Sequence, residues 1–157
     1  MDAGSTRREL VHLPPSVRAL GLDVGTKTIG VALTDEANVA AHPLTVLPRA
    51  GNARDSAQIA ALVAAHGVTD LVIGIPYELS GRAGHRARRV RELAAALRAV
   101  LGDSVTYHEQ DERFTTAEAE RVLLAADLSR ARRRQVIDQQ AAALILQAWL
   151  DGSRRAE

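Results

Sequence analysis

The sequence predicts a single α/β domain, a mixed five-stranded sheet with helices on both faces, and three observations predict it. The first is an apolar hairpin: Leu20, Leu22 and Val24 share one face of a strand, Gly25-Thr26-Lys27 makes a tight connection, and Ile29 to Leu33 returns. The second is Leu71-Val72-Ile73-Gly74-Ile75, a short apolar run of the kind buried on both faces of a sheet. The third is the order of elements. Three strands, a helix, a strand, a helix, a strand and two helices make an antiparallel meander followed by right-handed crossovers.

Residues 1–16 lack periodicity and contain Pro14-Pro15, so a flexible arm is expected ahead of a domain over 17–152, with 153–157 as a C-terminal tail. After the hairpin, Val39 to Leu47 reads as the third strand, and Pro43 places it at a sheet edge or a bulge. Asn52 is expected to cap a helix whose Ile59, Leu62 and Val63 recur at helical spacing, and Gly67 ends it. The apolar strand follows, then a loop from Pro76 to Gly81, then a helix from about Ala83 to Leu101 with Val90, Leu93, Ala94, Leu97 and Leu101 on its core face. Gly102 closes that helix and Ser104 to His108 reads as the last strand. Thr115-x-x-Glu118 has the spacing of a capping box at the start of the next helix. A final helix is expected from about Gln135 to Leu150, with Trp149 as a core anchor.

A chain of 157 residues that is 46% hydrophobic suffices for one domain with a sizeable core. It has no cysteine, which excludes disulfides and thiolate zinc sites. No window is long and apolar enough for a membrane span or a signal peptide, so a cytoplasmic protein without a membrane partner is expected. The net charge of +1 hides segregation. Six arginines between Arg82 and Arg98 face Glu92 alone, and Arg130, Arg132, Arg133 and Arg134 form a second cluster. Between Asp103 and Glu120 the balance reverses, with Arg113 the single cation. Basic flanks beside an acidic centre suit a polyanion held over metal-binding carboxylates. Taken alone, such runs are more often solvated helix faces, and nineteen arginines against one lysine point to an arginine-rich background.

Three acidic positions stand out. Asp23 interrupts the apolar first strand, where an ionised carboxylate is costly unless a cation or hydrogen-bond donors meet it. Glycines beside it let a ligand approach the backbone, and Lys27 is a point charge suited to phosphate. Asp138 shares the helical stripe of Ala141, Ala142, Ile145 and Trp149, a stripe that faces the core. The plainer reading is a first-turn acid on the helix dipole, worth about 0.3–1 kcal/mol. Asp111 and Glu112 sit where the last strand gives way to a loop, at the carboxyl end where α/β sheets build their sites. Adjacent side chains on extended backbone point oppositely, so one of the two is expected in the site, Glu112 by choice. As an isolated acidic pair they would more plainly be loop acids bridged to Arg113. Together, an acid in the first strand, one after the last strand and one in the final helix form an oxygen-donor set suited to Mg²⁺ or Mn²⁺. His12, His42, His66, His85 and His108 lack zinc-site spacing and read mostly as surface residues.

Four motifs carry a family resemblance: Gly21-Leu22-Asp23-Val24-Gly25-Thr26-Lys27 through Leu33, Val72 to Gly81, Asp111-Glu112-Arg113-Phe114-Thr115-Thr116, and Asp138 to Gln147. In this order they resemble the YqgF family, also called RuvX, bacterial nucleases of the ribonuclease H-like fold. The resemblance implies metal-binding catalytic roles for Asp23, Glu112 and Asp138, with Asp111 as the alternate ligand and Lys27 and Arg113 steadying phosphate or the acids. Related junction resolvases of the RuvC group carry a Glu at the end of the fourth strand. Here Gly74-Ile75-Pro76 stands in that region, and Glu78, two residues beyond Pro76, is a further alternative for the middle ligand beside Glu112 and Asp111. Arg82, Arg86 and Arg89 are the further candidate nucleic-acid contacts. The implied function is metal-dependent hydrolysis of RNA, the 5′ end of the 16S ribosomal RNA precursor in particular. A structure-selective DNA nuclease acting on Holliday junctions is the alternative. The Asp-x-Gly-Thr turn is shared with actin-like ATPases, but this length does not hold their two lobes; a non-catalytic RNA-binding assembly factor completes the set. Monomer and homodimer are both left open.

Overall fold

A computed structural model describes residues 17–113 and 130–155, with side chains outside the description at 130–139 and 154–155. Its elements are β1 (Ala19–Val24), β2 (Thr28–Thr34), β3 (Ala41–Pro48), α1 (Asn52–His66), β4 (Asp70–Ile75), α2 (His85–Leu101), β5 (Thr106–Asp111) and α3 (Arg130–Arg155). The five strands form one sheet in the order β3-β2-β1-β4-β5. β1, β2 and β3 pair antiparallel, whereas β4 joins β1 and β5 joins β4 in parallel. This is the mixed α/β sheet expected from the sequence. Among the described residues no helix is long and apolar enough to cross a membrane.

The hairpin turn closes with the Gly25 N–H donating to the Thr28 carbonyl at 2.8 Å. Pro43 cannot donate to a ladder, and it sits at the edge of the sheet beside a register shift between Val31 and Ala32. Gly67 ends α1 in the left-handed region at φ 61°, its N–H on the Val63 carbonyl.

Other boundaries differ from expectation. Asn52 is the first residue of α1 rather than its cap; Gly51, at φ 96°, precedes it, and the Asn52 Oδ1 accepts from Arg49 Nη2 at 2.9 Å. A 3₁₀ turn over Gly102–Ser104 follows α2, so the last strand begins at Thr106 instead of Ser104 and runs on to Asp111. α3 begins earlier than Gln135 and continues to Arg155, into the segment expected as a tail. Arginine and glutamine, both good helix formers, occupy its first turns. The arm over 1–16 and the helix expected from Thr115 lie outside the described residues.

The two faces of the sheet are covered differently. Leu20, Leu22, Ile29, Val31, Leu71, Ile73 and Ile75 point to α1 and α2, where they meet Ile59, Val63, Val90, Leu93 and Leu97. Each such side chain removed from water contributes about 1.5–3 kcal/mol. The other face presents Ala19, Ala32 and Val72 to Ala142, Ala143, Ile145 and Leu146 of α3. There α3 lies close to the strands. A Cβ on Gly21 would stand 2.7 Å from the Leu146 Cβ and 3.1 Å from the Ala142 carbonyl oxygen, so β1 needs glycine where the helix crosses. Gln147 fastens α3 to the meander, accepting from the Ala41 N–H at 2.9 Å and donating to the Val39 carbonyl at 3.2 Å.

Candidate functional site

β1, β4 and β5 are parallel, so their carboxyl ends share one edge of the sheet, and α1 and α2 both begin at that edge. Helix N-termini carry partial positive charge, which makes the edge favourable for anions. Asp23 is the penultimate residue of β1, and alternation puts its side chain on the α3 side with Ala19 and Gly21. Glu112 follows the last residue of β5. Its N–H donates to the Ile75 carbonyl at 3.2 Å, which carries the β4–β5 ladder one residue further and keeps the backbone extended. The same alternation sets Glu112 on the α3 side.

β4 runs between the two acids, and Gly74 is the residue that lets them meet. A Cβ at Gly74 would lie 2.5 Å from Glu112 Oε2 and 2.5 Å from Ile145 Cδ1. The Glu112 side chain therefore crosses β4 over bare backbone, flanked by α3, and hydrogen-bonds Asp23. Burial and the neighbouring Asp23 carboxylate push the Glu112 carboxyl up to about 7, while the Arg86 guanidinium draws it back down. At neutral pH Glu112 is thus poised between a protonated form that donates to Asp23 and an ionised form that Arg86 favours.

Asp111, the alternate ligand, is placed elsewhere. Its carboxylate accepts from the Arg113 backbone N–H at 3.0 Å and from Arg113 Nε at 2.8 Å, and Arg113 Nη2 closes the ion pair at 2.6 Å. Hydrogen bonds from Arg113 hold the Asp111 carboxyl below the usual carboxylate range. Neighbouring residues on extended chain face opposite ways, which is why Glu112 and not Asp111 reaches Asp23. Arg113 is likewise occupied with Asp111, its guanidinium 6.0 Å from the Tyr77 ring centroid. Glu78 lies against the start of α2, with its Oε1 2.5 Å from where a Gly84 Cβ would be.

The backbone of Asp138 belongs to α3, four and seven residues before the buried Ala142 and Ile145. Its side chain is outside the described residues, and among those that are described no three His, Asp or Glu side chains form a metal-binding group. Among the expected nucleic-acid contacts, Arg86 and Arg89 are exposed on the first turns of α2 and line a cleft at the site edge. Lys27 is exposed on the hairpin turn and Arg82 on the loop before α2. His108 departs from the surface reading: its Nε2 lies 2.9 Å from Asp70 Oδ1 and its ring 4.7 Å from the ring of Trp149, a packing role.

Two features were not anticipated. Arg49 stitches the site edge together: Nε is 2.7 Å from the fully buried Asp55, Nη1 donates to the Gly25 carbonyl at 2.8 Å, and Nη2 reaches Asn52. Nothing in a first-turn aspartate of an amphipathic helix distinguishes Asp55 from a solvated acid. Gly74 was legible in principle, since a glycine inside an otherwise apolar strand signals close approach by another group.

The family model described as "RuvX: Holliday junction resolvase" matches residues 17–152. A protein of Moorella thermoacetica named "Putative pre-16S rRNA nuclease" is 53% identical over 135 residues, covering 86% of this chain and 95% of the relative. One of the same name from Myxococcus xanthus is 47% identical over 138 residues, covering 88% and 90%. Among solved structures, Thermus thermophilus RuvC in complex with a Holliday junction substrate superposes with a TM-score of 0.53 at 14% identity, over 85% of this chain and 96% of that one. The structural likeness carries the fold, a RuvC-like one. The match over nearly the whole described chain and relatives at about half identity carry the lineage, and this protein belongs to the RuvX family.

Proposed function

We propose that the chain is a divalent-metal-dependent nuclease that hydrolyses phosphodiester bonds of RNA, trimming the 5′ end of the 16S ribosomal RNA precursor in the cytoplasm. The observation that carries this reading is the Asp23–Glu112 carboxyl pair joined over Gly74. Two carboxyls pressed together until one keeps its proton form a charge pattern that a cation relieves, and an all-oxygen donor set suits Mg²⁺ or Mn²⁺. Asp23 and Glu112 would hold it, with Asp138 contributed from α3. When bound, such ions polarise the phosphodiester and lower the pKa of the attacking water, the work of a two-metal site.

The remaining steps belong to the chain itself. Glu112 must lose its proton to take part, and Arg86 favours that form. β1 and the β4–β5 ladder hold both carboxyl groups on rigid extended backbone, so little reorganisation is left for the reaction. The N-termini of α1 and α2 together with Arg86 and Arg89 set a positive edge that draws a phosphodiester backbone toward the acids. The name borne by the curated relatives supports a ribosomal RNA substrate. The family description supports a four-way DNA junction as the second reading.

The test compares purified protein with Mn²⁺ on a 16S precursor transcript and on a four-way DNA junction, alongside Asp23→Asn and Asp138→Asn. Cleavage of the transcript, lost in both variants while each still unfolds in one cooperative transition, is the expected result. Cleavage that persists in both variants rejects the site, and cutting confined to the junction transfers the reading to DNA.

A further inference from the structure

Asp23 and the next residue, Val24, face opposite sides of the sheet: Asp23 toward α3, Val24 into the core beneath α1 and α2. On Val24's side, a cleft of about 410 Å³ opens at the same sheet edge. The turn at Gly25 and Thr26 forms one wall, Gly51 and Asn52 at the start of α1 a second, and Arg86 and Arg89 on α2 the third. Arg49 also lines it, but its charge is matched by Asp55 and its nitrogens are spent on the frame. Arg86 and Arg89 differ. Both are exposed, and among the described residues neither is in an ion pair. Glu92 is the one carboxylate among the lining residues, so the cleft keeps a net positive charge. Arg86 belongs to both sites, since it lines the cleft and acts on Glu112.

A pocket of this size sits at the small end of ligand sites. Two guanidinium groups on a flexible-strand path are suited to phosphate oxygens, which they bind by charge-assisted hydrogen bonds. We propose that the cleft is a second phosphate subsite, which takes the phosphodiester neighbouring the one at the acids. A single nucleic-acid strand then crosses the sheet edge over the Gly25–Thr26 turn, with one phosphate on the α3 side and the next between α1 and α2. This inference rests on the nuclease reading and assigns Arg89 as a positioning residue for the strand.

The test measures binding, not cutting. A 5′-fluorescein-labelled single-stranded 12-mer RNA is titrated by anisotropy in chelator across a range of salt concentrations, with wild type, Arg89→Ala, Arg89→Lys and Arg88→Ala. Arg88 is exposed on the same helix but does not line the cleft. Arg89→Ala should reduce the slope of log K against log salt by roughly 0.7, the value for one phosphate on a single strand. Arg89→Lys should keep the wild-type slope, Arg88→Ala should leave it unchanged, and a blunt duplex of the same sequence should show no dependence on Arg89. A wild-type slope in Arg89→Ala overturns the subsite, as does an equal loss in Arg88→Ala or an equal loss on the duplex. Failure of the nuclease reading is separately visible: it is Asp23→Asn still cutting, whatever Arg89 does to the slope.

Discussion

The raised Glu112 carboxyl makes a prediction about stability whose sign is fixed by the structure. In the unfolded chain this group titrates near 4.5, and in the folded, metal-free protein near 7. Between those values the folded state holds a proton that the unfolded state has released. The unfolding free energy therefore falls as pH rises through this window. The stabilisation is fully present below about 4.5 and is gone above about 7. Each pH unit of the gap corresponds to about 1.36 kcal/mol, so the whole effect is on the order of 3 kcal/mol. Glu112→Gln keeps the shape and the neutral charge and has no proton to lose. Urea unfolding of chelator-treated wild type and Glu112→Gln from pH 4.5 to 8 isolates the effect. Wild type should lose roughly 2–3 kcal/mol relative to the variant as pH rises. Adding Mn²⁺ should reverse the trend, because a cation that displaces the proton binds better at higher pH. A difference that stays flat, or that moves in favour of wild type with rising pH in chelator, would refute the carboxyl pair.

The glycine between the acids gives a second expectation. Gly74→Ala puts a methyl 2.5 Å from both Glu112 Oε2 and Ile145 Cδ1, so it should cost about 1–3 kcal/mol as overpacking and drive Glu112 from Asp23. Thermal melts and the Mn²⁺-dependent cleavage assay check it, and wild-type cleavage would show that the pair does not depend on this crossing. Arg49→Met strands the fully buried Asp55 carboxylate and should destabilise by about 3–5 kcal/mol. Asp55→Leu in the same chain should restore part of that, as read by urea unfolding, and a single variant as stable as wild type would disprove the stitch.

The sheet was readable because its signals are local. The Leu20, Leu22, Val24 alternation, the turn at Gly25 and the unbroken Leu71–Ile75 run each specify a strand on their own, and Pro43 located an edge. The period of two along extended chain said that only one of Asp111 and Glu112 faces the site; which one is decided by the register of β5 against β4. The ends of elements were read less well. Asn52 looks like a cap because of its residue type, yet its side chain is recruited by Arg49, a partner set by the tertiary fold. The strand after α2 starts late because Gly102, at φ 56°, opens a 3₁₀ turn that no propensity marks. Asp55 and His108 were missed for one reason: what packs against a polar side chain is set by the tertiary fold, and its own residue type does not say. Asp138 stands out in the sequence as an acid on an apolar stripe; its side chain lies outside the described residues, so that expectation stays a sequence reading.

The contrast between the two sides of the sheet has a consequence for how this protein can vary. Large branched side chains fill the layer under α1 and α2, whereas alanine and glycine thin the layer under α3. One layer is ballast and the other is an instrument mount. Drift that trims the ballast shows first in how warm the molecule can get. A single added carbon in the mount shifts the helix that carries Asp138 and the carboxyl that leans over Gly74, while most of the ballast stays in place.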